Sequence, residues 1–189
     1  MKSSLTAIAA LLVALAPAYS AVQTFQADPA HSSVTFKIRH FFTTVPGSFG
    51  ELEAKIRYDG EDVSSSSAEA TLSIASVDTN NDKRDNHLRD EDFFDVAEHP
   101  EIRFESTSWS KTGDDEFEVK GDLTMAGETK EVTLDVTLLG MKENTKGAMV
   151  SGWEAKTTLD RRDWGISYGQ GIVGNEVNVE IFVQAPEAE

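Results

Sequence analysis

The stretch His31-Ser-Ser-Val-Thr-Phe-Lys-Ile-Arg-His40 decides the fold class. Val34, Phe36, Ile38 and His40 fall on one side of an extended chain. Ser33, Thr35, Lys37 and Arg39 fall on the other. A period of two with one apolar side predicts a half-buried antiparallel strand. The alternation recurs seven times downstream. Residues 50–58 place Leu52, Ala54, Ile56 and Tyr58 on one face; residues 68–74 do the same with Ala68, Ala70, Leu72 and Ile74. Residues 101–106 alternate Ile102, Phe104 and Ser106, and residues 116–125 carry Phe117, Val119, Leu123 and Met125. Val132, Leu134, Val136 and Leu138 follow, then Trp153, Ala155, Thr157 and Leu159, and last Val177, Val179, Ile181 and Val183.

Turn signals separate these runs: Val45-Pro-Gly-Ser48, Tyr58-Asp-Gly-Glu-Asp62, Thr112-Gly-Asp-Asp115 and Ala126-Gly-Glu128. The expectation is an all-β chain of eight antiparallel strands in a meander. Such a meander closes into an up-and-down barrel, which removes exposed edges. A sandwich shows the same alternation. Two segments break the period. Residues 80–96 are polar and end in Asp92-Phe-Phe-Asp-Val96; they suit short helical turns at one end, with Leu88, Phe93 and Phe94 turned inward. Residues 163–174 hold four glycines.

Composition narrows the function. Against 17 Lys and Arg stand 33 Asp and Glu, a formal net charge of −16 over 189 residues. This opposes nucleic acid as a partner, since a polyanion is repelled and no basic stretch compensates. It equally opposes electrostatic adsorption to an anionic lipid surface. The absence of cysteine excludes disulfides, thiolate metal sites and cysteine nucleophiles. Met1-Lys2, the apolar run of residues 5–16 and the small residues around Ala18-Tyr-Ser-Ala21 have the order of a secretory signal peptide, cleaved near Ser20. Residues 21–189 then form the domain, periplasmic or secreted. No later run approaches 18 apolar residues, so stable membrane insertion is not expected.

Catalytic signals are sparse. The histidines at 31, 40, 87 and 99 form no His-x-His or His-x3-His pair, so no metal site is expected. Gly-x-Ser-x-Gly, phosphate loops and dinucleotide fingerprints are missing, and no cofactor is implied. Arg84-Asp85 and Arg162-Asp163 read as structural fixings of the irregular segments, by charge-assisted hydrogen bonds to backbone or to each other.

A family resemblance adds to this reading. It is carried by Asp28-Pro-Ala-His-Ser-Ser-Val-Thr-Phe-Lys-Ile-Arg-His40, Gly47-Ser-Phe49, Ser76-Val-Asp-Thr-Asn80, Arg84-Asp-Asn-His-Leu88 and Asp92-Phe-Phe-Asp95. His99-Pro-Glu-Ile-Arg-Phe-Glu-Ser106, Gly121-Asp-Leu-Thr-Met-Ala-Gly127 and Arg162-Asp-Trp-Gly-Ile166 complete it. In order and spacing these resemble the YceI-like family, from about Phe25 to Val183. The resemblance implies an eight-stranded lipocalin-like barrel. It also implies an apolar tunnel for a polyisoprenoid or similar long-chain amphiphile, and no catalytic activity.

An eight-stranded barrel is either filled by its side chains or holds one small ligand. Small inward candidates (Ala54, Ala68, Ala70, Gly121 and Ala155) favour an open axis. The expected ligand wall is Val34, Phe36, Ile38, Ile56, Leu72, Ile74, Phe104, Leu123, Val136 and Trp153, with Phe93 and Phe94 near a cap and His40 as a rim group. The reading is a binding or carrier protein, not an enzyme. Two alternatives stand beside it: an enzyme on a lipid-like substrate, with His40 its one inward histidine, and a filled interaction barrel. A homodimer stays open.

Overall fold

The computed structural model describes residues 22–188. The expected signal peptide and its expected cleavage near Ser20 lie outside the described residues. All eight expected strands form: β2 (Ser33–His40), β4 (Leu52–Asp59), β5 (Ser67–Ser73), β7 (Glu101–Lys111), β8 (Glu116–Met125), β9 (Glu128–Glu143), β10 (Met149–Asp160) and β11 (Val173–Pro186). Three more strand segments bring the count to eleven rather than eight: β1 (Val22–Gln26), β3 (Thr43–Phe49) and β6 (Val77–Asp78). They make one antiparallel sheet in the order β1-β4-β5-β7-β8-β9-β10-β11-β2-β3-β6. Among the described residues the chain is all-β apart from α1 (Asp82–Arg89) and three single 3-10 turns.

The middle of the chain is the expected meander. The start is not, because β2 pairs with β11 and β3 rather than with β4. β3 occupies the stretch read as a turn. Pro46 lies opposite Lys37 within the β2–β3 pairing, and β6 reaches the far side of β3 only at Ser48 and Phe49. Pro46 therefore has an unpaired edge for its missing N–H. Gly47 is glycine because the Phe36 ring lies across it, where a Cβ would collide. The actual hairpin tip is Phe41-Phe42. β1 runs along β4 from Val22–Asp59 to Gln26–Lys55, and Phe25 makes an isolated bridge to Glu187 beyond β11. Asp28 N also donates to Gln184 O at 2.8 Å. The sheet is thus strongly curled.

Turn chemistry fits elsewhere. Ala126 and Gly127 both have positive φ (48° and 79°), as a two-residue hairpin between β8 and β9 requires. α1 starts on Asn81, whose side chain accepts from Arg84 N at 3.0 Å, a standard N-cap. Arg89 ties the helix back to β6 and the 3-10 turn before it, donating to Val77 O and Ala75 O at 2.8 and 3.0 Å.

One end of the core is an aromatic cluster. Trp109, Phe117 and Trp153 are at most 5% exposed. Tyr58 stands edge-on to Trp153 with centroids 5.2 Å apart, and Trp109 meets Trp153 at 6.0 Å. Trp153 Nε1 donates to Ser151 Oγ at 2.9 Å, which in turn donates to Ala185 O. Burial pushes the Tyr58 hydroxyl above its ordinary pKa, reinforced by Asp115 and Asp59. The folded state then resists ionisation, so this contribution to stability is whole below the unfolded value near 10 and is lost as pH rises beyond it. Tyr58→Phe is expected to gain on the wild type in urea midpoint above pH 10, with a constant difference at neutral pH.

Candidate functional site

The inward faces enclose an apolar cavity of about 420 Å³, well within the size range of small-molecule sites. Val34, Phe36, Ile38 and His40 line it from β2, and Ile56, Leu72, Phe104 and Leu123 line it from β4, β5, β7 and β8. Val136 and Trp153 complete the expected strand set, and Phe93 and Phe94 enter from the segment after α1. Ile74 does not line the cavity. β5 ends at Ser73, and Ile74 begins a 3-10 turn with 0% exposure, so the alternation stops one residue short of it. Four small residues, Ala54, Ala68, Ala70 and Ala155, line the cavity. Gly121 does not; the Phe104 ring lies against it, 2.5 Å from where a Cβ would stand.

Several lining residues escaped the alternation. Trp109 faces the cavity because a register shift between Ser106 and Ser108 inverts the parity of β7. Val45 and Phe49 belong to the strand mistaken for a turn, and Ile166, Tyr168 and Val173 to the glycine-rich span. The aromatic cluster seals the deep end. Eleven residues of β11, from Val173 to Val183, run between mouth and floor, roughly 30 Å of strand.

The mouth is where polar groups gather. His40 is exposed there, opposite Val173 on β11, with its ring edge-on to Phe41 at 5.2 Å. His87 sits between Phe93 and Tyr168, at 5.0 and 4.8 Å, and its Nε2 lies 2.9 Å from Asp92 Oδ2. Leu88 also lines the cavity, and Phe94 meets Phe49 edge-on at 6.2 Å.

Two guanidinium groups line this end, and neither forms an ion pair among the described residues. Arg84 donates from Nε to Thr79 Oγ1 at 2.6 Å and from Nη2 to Thr79 O at 2.7 Å. Thr79 in turn gives its N–H and hydroxyl to the buried carboxylate of Asp85. Arg161, 4% exposed, donates to the carbonyls of Gly174, Ile166 and Tyr168 at 2.8–2.9 Å and more weakly to Val173 O at 3.4 Å. Burial lowers its pKa, Asp160 opposes that shift and Arg162 adds to it. Arg84 and Asp85 fix their irregular segment through Thr79 rather than through each other. Arg162 bonds to Asp160, holding that carboxyl at about 2. The buried member is Arg161, which no sequence pattern marked.

Among the described residues no group of His, Asp and Glu is arranged to hold a metal, and no helix is long and apolar enough to cross a membrane.

Comparison with known families matches residues 25–185 to the YceI-like domain. The chain belongs to the YceI-like family. Protein YceI of Escherichia coli is 33% identical to this YceI-like chain over 187 residues, covering 97% of each. The crystal structure of BcnA from Burkholderia cenocepacia has the same fold, with TM-score 0.76 and 23% identity over 84% of this chain and 99% of BcnA. A polyisoprenoid binding domain from Saccharophagus degradans, implicated in plant cell wall breakdown, also shares it, at TM-score 0.65 and 14% identity over 88% and 99% of the two chains.

Proposed function

We propose that this YceI-like protein is a periplasmic or secreted carrier that holds a long-chain amphiphile, a polyisoprenoid or close relative, in its cavity. The observation that carries the proposal is the cavity itself: an apolar bore, widened by four alanines, running from a polar mouth to a sealed aromatic floor. Each methylene moved from water into it contributes about 0.8 kcal/mol before ordering costs, so a long chain binds with few polar contacts. The proposed wall is a closed barrel. In its support, β1 and β2 both lie along the β11 edge, through the Phe25–Glu187 bridge and the β2–β11 pairing. β3 and β4 pair with β2 and β1 in turn. The residues proposed as ligand wall are those already placed on the cavity, with Arg84 and Arg161 at the end where a head group rests. The signal-peptide pattern read in residues 1–20 is the ground for proposing that compartment.

The polyisoprenoid assignment leans on the Saccharophagus domain's stated ligand class and on the tunnel's length. The enzyme alternative rested on His40, which is exposed and has Phe41 rather than a carboxylate beside it. His87 has a carboxylate, Asp92, but no nucleophilic hydroxyl bonded to it.

The segment 80–96 supplies a test. It is anchored inward by Leu88, Phe93 and Phe94, and a ligand that binds only the closed form stabilises that form. Hydrogen exchange at residues 85–95 is expected to slow when delipidated protein is loaded with an isoprenoid, while residues 132–138 change little. Phe93→Ala combined with Phe94→Ala is expected to speed ligand loss more than it lowers the urea midpoint. Equal protection in both forms, with an unchanged off-rate, would identify the segment as a fixed plug.

A further inference from the structure

The tip of the β2–β3 hairpin is built against the preferences of its own backbone. Phe41 takes a left-handed conformation (φ 51°), costly for an aromatic residue where glycine or asparagine would serve. Phe42 beside it is 100% exposed, and Phe41 is 51% exposed. The two rings stack at 6.3 Å. Phe41 N donates to Ile172 O at 2.8 Å, which joins the tip to exposed Ile172 and Tyr168 on the opposite lip. His40, Tyr168 and Val173 line the cavity, so this aromatic lip is continuous with its mouth.

Charge singles out the same surface. None of the 33 acidic residues lies in residues 29–50 or 164–175, the two stretches that build the lip. Lys37 and Arg39 stand on the outer face of β2 beside the tip, and among the described residues neither forms an ion pair. Asp90, Glu91 and Asp92 follow α1, and Asp92 approaches the Tyr168 end of the lip through His87, so the acid-free surface is centred on the hairpin tip.

We propose that the Phe41-Phe42 tip, with Ile172 and Tyr168, inserts into the outer layer of a lipid bilayer and sets the cavity mouth against it. An apolar chain then passes from membrane to cavity without crossing water, the step that burial energetics penalise most. Lys37 and Arg39 meet the head-group phosphates. This rests on the lipid-carrier reading of the cavity, and the test separates the two.

The test uses the whole mature protein with phosphatidylethanolamine–phosphatidylcholine vesicles and a soluble fluorescent isoprenoid probe. The variant is Phe41→Asn with Phe42→Ser, which removes exposed rings and eases the left-handed position, so it folds at least as stably. Expected are sedimentation of wild type with the vesicles, a roughly tenfold loss of it in the variant, slower pick-up of probe from vesicles and unchanged affinity for probe in free solution. Adsorption lost in the variant while neither protein binds probe would sustain the docking surface and overturn the carrier reading. No adsorption of wild type, or equal adsorption of both, overturns the proposal. So does a concentration-dependent dimer that the variant abolishes, since the tip would then serve a second copy of the chain.

Discussion

Ala70→Phe is expected to weaken binding of a long isoprenoid about a hundredfold while leaving the fold intact. Ala70 lies opposite Ala54 on β4 and Phe104 on β7, and all three line the cavity. A phenyl ring there projects into open space rather than into packed core, so the overpacking cost of about 1–3 kcal/mol is largely avoided. The ring displaces the ligand instead. Excluding about four methylenes removes roughly 3 kcal/mol of burial, close to two orders of magnitude in affinity. Titration with a fluorescent isoprenoid, run beside urea unfolding, separates lost binding from lost stability. Unchanged affinity would mean that the chain does not pass Ala70, and the wall assignment would fail with it.

Arg161→Ala is expected to be the most destabilising single truncation near the mouth. The guanidinium gathers carbonyls of Ile166, Tyr168, Val173 and Gly174 around one buried charge, and it is the chief polar cross-link holding the loop between β10 and β11. Hydrogen bonds to a charged donor contribute about 1.5–3 kcal/mol each, and orphaned carbonyls add to the loss, offset where water enters. A net cost of about 3–5 kcal/mol, or roughly 10 °C in Tm for a chain of this size, follows. Arg162→Ala next door should shift the midpoint far less, because the Arg162–Asp160 pair is solvent-exposed and screened. Thermal unfolding of the two variants compares them directly. Similar small shifts would mean that the loop holds without its buried charge. The ligand off-rate should also rise in Arg161→Ala, since Tyr168 and Val173 lose their tether.

The strands were legible where one face is apolar and the other polar without interruption. β2, β10 and β11 kept their alternation over the residues named on them, and every one of those inward residues lines the cavity. Legibility ended where something local overrode the period. The register shift at Ser106/Ser108 turned Trp109 inward without any change in composition that announces it. Pro46-Gly47 reads as a turn because turns favour those residues, yet here proline uses an unpaired edge and glycine makes room for Phe36. β1 is five residues long and is held by partners more than 25 positions away, which no local pattern encodes. Arg161 and Arg162 are neighbours of the same type, one buried and one exposed; only the path of the following loop distinguishes them.

The central claim is that the cavity carries a long apolar ligand, and the most direct measurement is native mass spectrometry of the protein purified from its own compartment, followed by organic extraction. The account predicts a mass excess matching one long-chain amphiphile per protein, removed by extraction and restored by added polyisoprenoid. Bare protein mass in repeated preparations, with no uptake of added polyisoprenoid, would contradict it.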